Sequence, residues 1–293
     1  DGQDFIAELT YESEGTNGLI DFEGNSYKNW GNVPYLNGGS YLVVYGDKFF
    51  YAGSDGGVPV IGGLDKSGNN LFNFPVHFPV EPGKKSYIYG QPVVFEEDGI
   101  ERVSVFVVTY VNGPTNGDLG DFKLGVFTFS INGTLLKESI LYRGAGEYWT
   151  NIPPLVVGDI DGDLKKEIIV SYGLVNKGLF LENRYNPEAY HSDFYILGGS
   201  GEIKSKPYGI DGYIVHGMIV ANMGGSVPKL IATLGITWAT AENGYKLISV
   251  DSGGHVDFDV SLGADKQIGG LLAGDVDSDN GVEILVNYLK NEW

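Results

Sequence analysis

Asn-Gly and Asp-Gly pairs recur along this chain between short runs of β-branched and aromatic residues. A type I′ turn needs positive φ at both central residues, so these pairs are the strongest short-range signal for a β-hairpin. The clearest apolar runs are residues 41–45, 103–111, 167–172, 229–233 and 283–288. Helical periodicity is almost absent. The pattern therefore predicts an all-β chain built from successive hairpins.

A longer unit recurs on top of the hairpins. It consists of an apolar strand, a turn that ends in glycine, and a second short strand. Its five copies end at Gly24, Gly68, Gly133, Gly201 and Gly254. Each copy follows another pair of strands, so each repeat supplies four strands. Repeated four-stranded units predict a β-propeller, and five copies predict five blades.

The expected arrangement is a single domain, 1–293, whose last blade is closed by both termini. The predicted blades are 32–86, 87–148, 149–208, 209–264, and 265–293 together with 1–31. Closure of this kind removes the open sheet edges that invite aggregation. A fragment cut from a larger propeller or solenoid is the competing hypothesis.

The balance of charge excludes some classes of partner. The chain has 38 Asp and Glu against 19 Lys and Arg, which gives a formal charge of −19. It lacks the basic stripe that nucleic acid requires. It also lacks an apolar stretch near the roughly 20 residues of a membrane helix, so no membrane insertion is expected. Divalent cations are natural partners, although the acidity is equally explained by solubility.

Two loops carry carboxylates at positions 1, 3, 5 and 9 and are followed by an apolar strand. The carboxylates are Asp159, Asp161, Asp163 and Glu167 in the first loop and Asp275, Asp277, Asp279 and Glu283 in the second. Backbone carbonyls near position 7, at Lys165 and Gly281, would complete an all-oxygen shell. Such a shell suits Ca²⁺ better than Mg²⁺, which demands a tighter octahedron. The loops therefore predict about two structural Ca²⁺ ions. An EF-hand is disfavoured because β runs flank both loops.

The segment 157–170 resembles the FG-GAP/VCBS-type repeats of integrin-α-like propellers. In that family, the loop that joins the inner two strands of a blade holds a calcium ion. The resemblance covers the loop and the start of the next strand in two blades. It implies ions that are structural, lie on the rim of the propeller and take no part in catalysis.

The remaining blades depart from this pattern. Segment 221–229 is one residue shorter, has no carboxylate and places Lys229 where Glu is expected. An ammonium there would oppose a cation, so no metal is predicted. Segment 96–101 is acidic but lacks the alternation, which makes a site doubtful. Segment 46–48 is a tight turn with no predicted site.

No catalytic residue is assigned from the sequence. The four His are scattered, and none lies beside a Gly-x-Ser-x-Gly elbow. Asp211 and Asp265 precede two innermost strands, but the other three innermost strands have no matching acid. An acid and base pair of the glycosidase type is therefore unsupported.

Aromatic side chains and one His cluster near the predicted starts of innermost strands. We expect five of them to contribute to a ligand-binding face for carbohydrate or protein: Tyr35, Tyr89, Trp149, Tyr213 and His216. Tyr and Trp offer flat apolar surface with a polar group. Packing between blades explains the same residues.

Together these patterns predict a secreted or cell-surface, calcium-stabilised propeller with a lectin-like or adhesive role. One alternative is a propeller-fold glycoside hydrolase or polysaccharide lyase. Another is a structural module of a larger surface protein, because the chain begins at Asp1 in the manner of a processed or excised domain.

Overall fold

The computed structural model describes most of the chain, with gaps. The described residues are 6–8, 17–20, 26–31, 41–111, 121–145, 147–149, 153–183, 186–225, 227–235, 244–263, 266–276 and 282–290. The chain divides into two compact units, Asp1–Val111 with Lys123–Ile140 and Asn112–Phe122 with Leu141–Trp293.

The first half of the described chain forms a series of antiparallel sheets. A three-stranded sheet contains β1 (Ile6–Glu8), β2 (Asn17–Ile20) and β3 (Ser26–Gly31). Sheet I contains β4 (Tyr41–Tyr45), β5 (Lys48–Asp55), β6 (Val58–Asp65) and β7 (Val76–His77) in sequential order. Sheet II contains β8 (Lys85–Glu97), β9 (Ile100–Tyr110), β10 (Asp121–Ser130) and β11 (Leu135–Ala145), also in sequential order.

The second unit follows the same plan. Sheet III contains β12 (Glu147–Trp149), β13 (Val156–Gly158), β14 (Glu167–Asn176), β15 (Tyr190–Leu197) and β16 (Ile203–Asp211), with β12 and β13 both paired to β14. A helix, α1 (Lys177–Glu182), and a 3-10 turn (Pro187–Ala189) join β14 to β15. Sheet IV contains β17 (Ile214–Ala221), β18 (Lys229–Gly235), β19 (Tyr245–Val250) and β20 (Val256–Gly263). A two-stranded sheet of β21 (Lys266–Gly274) and β22 (Glu283–Lys290) ends the series.

One five-residue turn recurs in all four of these larger sheets. In turns 65–69, 130–134, 198–202 and 251–255, the first N–H donates to the fifth carbonyl and the fourth N–H donates to the first carbonyl. The fourth residue is always glycine with positive φ, for example 81° at Gly68 and 84° at Gly254. Glycine adopts this conformation without steric cost. The predicted repeat is therefore present in four copies, and the turn of the copy that ends at Gly24 lies outside the described residues.

The two central strands of each large sheet are more deeply buried than its edge strands. Strand β14 is buried from Glu167 to Val175, and β9 is buried from Arg102 to Thr109. Burial on both faces explains why these strands are continuous apolar runs and do not alternate. In the second unit, Ile169, Phe194, Val215 and Leu234 belong to one core cluster that joins sheets III and IV.

These sheets confirm the all-β prediction with several four-stranded antiparallel sheets. The number of blades, their closure and the boundaries of a single propeller domain stay predictions. Among the described residues, no helix has the length and apolarity needed to cross a membrane.

Candidate metal centre

The first acidic loop connects β13 to β14 in sheet III. Gly158 and Glu167 face each other in the strand register, and the loop lies between them. Gly162 has a φ of +80°, and a Cβ there would lie 2.9 Å from Cγ2 of Val227. Only glycine satisfies both constraints. Ile160, within the same loop, is 1% exposed and packs in the core cluster, which fixes the loop to the sheet.

Backbone N–H groups draw the loop carboxylates inward. Asp159 accepts hydrogen bonds from the N–H of Gly162 (2.7 Å) and of Leu164 (2.9 Å). Asp163 accepts one from the N–H of Lys165 at 2.8 Å. Short-range bonds from Asp side chains to following N–H groups are typical of tight polar turns. The alternation of Asp in the sequence thus becomes one cluster of carboxylates.

Glu167 completes the cluster from the first position of β14. Its side chain is completely buried, and Oε2 accepts a hydrogen bond from the N–H of Ile160 at 3.0 Å. One carboxylate oxygen from each of Asp159, Asp161, Asp163 and Glu167 lies within 4.8 Å of the others. An all-oxygen set of this kind fits a hard divalent cation. The predicted seventh-position ligand, the carbonyl of Lys165, stays a prediction.

A lysine that the sequence did not point to enters this cluster. Nζ of Lys204, from β16, lies 2.6 Å from Oε1 of Glu167, 3.1 Å from Oδ2 of Asp161 and 3.4 Å from Oδ2 of Asp163. Lys204 is 37 residues away from Glu167 along the chain. Its ammonium is thus a cation already placed among three of the four carboxylates.

The pKa values of the carboxylates and of Lys204 are shifted by burial and by their hydrogen bonds. Burial raises the pKa of Glu167, and the hydrogen bonds from Lys204 and the N–H of Ile160 only partly oppose this. Burial acts to lower the pKa of Lys204, but hydrogen bonds to Glu167 and Asp161 outweigh it, and that pKa is raised. The N–H of Lys165 lowers the pKa of Asp163. A buried carboxylate with a raised pKa gains from additional positive charge, which a divalent cation supplies.

The second acidic loop shares a key contact with the first. Gly274 and Glu283 face each other as Gly158 and Glu167 do. Oε2 of Glu283 accepts a hydrogen bond from the N–H of Val276 at 2.7 Å. This bond corresponds to the one between Glu167 and Ile160. Val276, however, is 59% exposed, in contrast to buried Ile160.

The other proposed ligands of the second loop divide into two groups. Asp275 is described and exposed. Asp277, Asp279 and Gly281 lie outside the described residues, so their convergence on an ion stays a prediction.

Sheet IV has a lysine where sheet III has Glu167. Lys229 is the first residue of β18 and faces Ala221. Its Nζ lies 3.0 Å from Oδ2 of Asp257, the second residue of β20. Lys204 and Asp257 occupy the same position in their sheets, beside the register shift between the last two strands. The ion pair of sheet IV is therefore that of sheet III with the charges exchanged.

The acidic turn of sheet II is paired with cations of the protein. Glu97 contacts Arg102 at 2.9 Å in a largely buried pair. Glu101 contacts Lys48 at 2.7 Å. Each of these two carboxylates therefore has a cationic side chain beside it, and the doubt about a metal at this turn stays a prediction. Segment 46–48 contributes Lys48 to this pairing.

The predicted ligand-binding residues are only partly described. Tyr35 and the side chain of Trp149 lie outside the described part of the structure. Tyr89 is half-buried in β8 of the first unit. Tyr213 is half-buried in the second unit, where Nζ of Lys246 lies 5.2 Å from its ring centre. A single face that contains the whole set stays a prediction.

His216 lies in β17 within the second unit. Its ring centre is 5.6 Å from that of Tyr245. Nε2 is buried and has no hydrogen-bond partner among the described residues. Burial lowers the pKa of His216 to about 4, so the imidazole is neutral at physiological pH.

A second polar cluster, which sequence reasoning missed, lies on β14 to β16. Buried Asp193 is contacted by Nε2 of His191 (2.9 Å), Nζ of Lys206 (2.7 Å) and the hydroxyl of Tyr172 (3.1 Å). Nδ1 of His191 lies 2.6 Å from Oδ1 of Asp211. Burial acts to lower the pKa of His191, but Asp211 and Asp193 outweigh it and raise the pKa. The separation of one residue between His191 and Asp193, which places them on one strand face, was the only available sequence signal.

Comparisons with known proteins give distant likenesses alone. No protein-family model and no curated protein matches the chain. One similar solved structure is an exotype rhamnogalacturonan lyase, YesX, with TM-score 0.46 and 14% identity over 87% of this chain and 57% of that chain. Another is an ACO/RPE65 chimera, with TM-score 0.44 and 12% identity over 98% of this chain and 64% of that chain.

A levansucrase from Bacillus subtilis is also similar, with TM-score 0.41 and 10% identity over 89% of this chain and 83% of that chain. The chain thus spans 57% and 64% of the lengths of the lyase and the chimera. All three TM-scores are below 0.5, so neither fold nor function is inferred from these likenesses.

Proposed function

We propose that this chain is a calcium-stabilised β-propeller that serves as a rigid extracellular binding module for a carbohydrate or protein ligand. The recurring four-stranded sheets and their shared turn support the propeller. The FG-GAP/VCBS-type loop pattern supports calcium as the cation. Two ions, one in each acidic loop, are part of the proposal.

The observation that carries the proposal is the carboxylate cluster of sheet III. Asp159, Asp161, Asp163 and Glu167 would hold the ion, which would link the β13–β14 loop to the first residue of a buried strand. Such an ion supplies positive charge to buried Glu167 and crosslinks the loop. Its role is therefore stability of the scaffold. Binding to the native state alone stabilises a protein by about 2.7 kcal/mol at a hundredfold excess over Kd.

Calcium removal tests this part of the proposal. We expect a chelator to lower the melting temperature of the protein and added Ca²⁺ to restore it. Asp161→Ala combined with Asp277→Ala should abolish the response. Asp47→Ala is the matched control, because Asp47 is exposed in a turn outside both loops. An unchanged melting temperature with chelator would contradict the calcium centre.

The ligand-binding part needs a separate measurement. Calcium-loaded protein applied to a glycan array should bind to specific immobilised glycans without releasing product from them. Tyr213→Ala is expected to weaken retention, because the exposed part of its ring is the contact that the proposal uses. Equal retention by this variant would remove Tyr213 from the binding face.

A second candidate function is a carbohydrate-active enzyme such as a glycoside hydrolase or polysaccharide lyase. The specific observation is that His191 bridges two carboxylates, those of buried Asp193 and exposed Asp211. Glycosidases work with a pair of carboxyl groups. Product release from a polysaccharide panel that is lost in Asp211→Asn, but not in Asp47→Asn, would favour this function over a binding module.

A further inference from the structure

The side chain that most constrains cation binding is Lys204. Its ammonium contacts Glu167, Asp161 and Asp163 at 2.6, 3.1 and 3.4 Å. These are three of the four carboxylates that would hold the divalent ion. Contacts of this length to ionised oxygens are charge-assisted hydrogen bonds. The ammonium and a divalent ion bound at this cluster would therefore use the same carboxylate groups.

The position of Lys204 in the sheet explains how it reaches the cluster. Leu197 pairs with Ile203 and Ile196 pairs with Ser205, so Lys204 is the extra residue at a register shift between β15 and β16. A bulge re-aims the side chain of the extra residue. Lys204 remains 30% exposed, and the flexible lysine stem gives its charged group a route back to water.

In sheet IV an ion pair completes the same corner, although the loop of that sheet supplies no carboxylate. There Lys229 replaces the glutamate, and Asp257 at the bulge replaces Lys204. In both sheets the corner contains one paired lysine. Sheet III differs because its loop adds three further carboxylates, which one ammonium does not neutralise.

We propose that Lys204 is a tethered competitor of Ca²⁺: its ammonium occupies the carboxylate cluster without the ion and leaves for solvent when the ion binds. This inference rests on the proposed function of the cluster as a calcium centre. Lys204 then has two effects. It keeps the corner folded when calcium is scarce, and it weakens the affinity of the site for calcium.

The test is calcium titration by calorimetry of chelator-stripped protein, in a background that carries Asp275→Asn to silence the second loop. Lys204→Met keeps the apolar stem and removes the charge. We expect it to bind Ca²⁺ at least about tenfold more tightly than the unchanged Lys204 protein. Lys166→Met is the matched control: Lys166 lies in the same loop but is exposed, so salt screens its charge and its removal should change the affinity by at most about threefold.

Lys204→Arg separates charge from shape. It keeps a cation at the bulge, so its calcium affinity should stay close to that of the unchanged protein. A second readout is stability: Lys204→Met should melt at a lower temperature without calcium and recover at saturating calcium. If Lys204→Met does not fold without calcium, its affinity can be measured after refolding in calcium by competition with a chelator.

The outcomes separate the two proposals. Binding by Lys204→Met alone, or at least tenfold tighter binding, supports the competitor. If Lys204→Met matches Lys166→Met, or if Lys204→Arg binds as tightly as Lys204→Met, the competitor is wrong and the calcium centre stands. If neither the unchanged protein nor Lys204→Met binds Ca²⁺, the calcium centre is wrong and the competitor falls with it.

Discussion

Sheets III and IV solve the same structural problem with opposite charges. Glu167 is the first residue of β14 in sheet III, and Lys229 is the first residue of β18 in sheet IV. Each forms an ion pair with a residue at the bulge of the last strand of its sheet, Glu167 with Lys204 of β16 at 2.6 Å and Lys229 with Asp257 of β20 at 3.0 Å. The position therefore tolerates either sign of charge, provided that the partner is exchanged too. Only the version with glutamate on the buried strand is compatible with a cluster of loop carboxylates.

The histidines of the two sheets differ in another way, in the direction of their pKa shifts. His191 in sheet III lies between Asp193 and Asp211, and these carboxylates raise its pKa against the effect of burial. His216 in sheet IV is partly buried beside Tyr245, with Nε2 inaccessible to solvent, and this burial lowers its pKa to about 4. Pairing thus favours the charged form of His191, whereas burial disfavours the charged form of His216. The two sheets should respond differently to charge reversal, to acid and to calcium.

The largest expected effect comes from reversing one charge in sheet III. Glu167→Lys places two ammonium groups together at a fully buried position, next to Lys204. Loss of a buried pair costs about 3–5 kcal/mol of unfolding free energy. Urea unfolding without calcium measures this change.

The double variant Glu167→Lys with Lys204→Asp converts the corner into the sheet IV arrangement. We expect it to regain most of the lost unfolding free energy and to lose the calcium response of sheet III. A double variant as unstable as Glu167→Lys would show that the two corners are not equivalent.

The acidic loop and the glycine turn of sheet III could be predicted from the sequence, but the contact between Lys204 and Glu167 could not. The carboxylate alternation from Asp159 to Glu167 is local, and the glycine turn at 198–202 follows from residue identity. The contact of Lys204 with Glu167 depends on a register shift between β15 and β16. That shift is decided by the pairing of whole strands. The contact between His191 and Asp211, which are register partners, was hidden for the same reason.

The fold shows a similar division. Strands and turns were predictable because β-branched runs and Asp-Gly pairs act locally, as at Asp98 and Gly99, whose φ values are 51° and 72°. The interruption of the first strand of sheet III into β12 and β13 was not predicted. Its cause is not local either, since both segments pair with the single strand β14.

An intermediate effect is expected for acid on sheet IV. The unfolded pKa of His216 is about 6.5, whereas the folded pKa is about 4. The stability that neutral His216 permits is therefore fully present above pH 6.5 and is lost as the pH falls toward 4, by roughly 3 kcal/mol. His216→Phe should remove this part of the acid sensitivity.

The measurement is the free energy of unfolding by urea at pH 7 and at pH 4.5, compared between His216→Phe and the unchanged protein. His255→Gln is the control, because His255 is exposed in a turn of the same sheet. If His216→Phe loses as much unfolding free energy at pH 4.5 as the unchanged protein, burial does not disfavour the protonated form of His216.

The smallest expected effect is the loss of the sheet IV ion pair. Lys229 and Asp257 are 27% and 44% exposed, and Oγ of Ser249 lies 3.5 Å from the same oxygen of Asp257. Lys229→Met therefore leaves Asp257 in contact with water and with a hydroxyl, and should cost less than about 1 kcal/mol of unfolding free energy. The calcium response should be unchanged, because the sheet IV loop contributes no carboxylate. If Lys229→Met cost as much unfolding free energy as Glu167→Lys, the burial of Glu167 would not explain why the two corners differ. A small cost would attribute the difference to buried Glu167, which the loop of sheet III encloses.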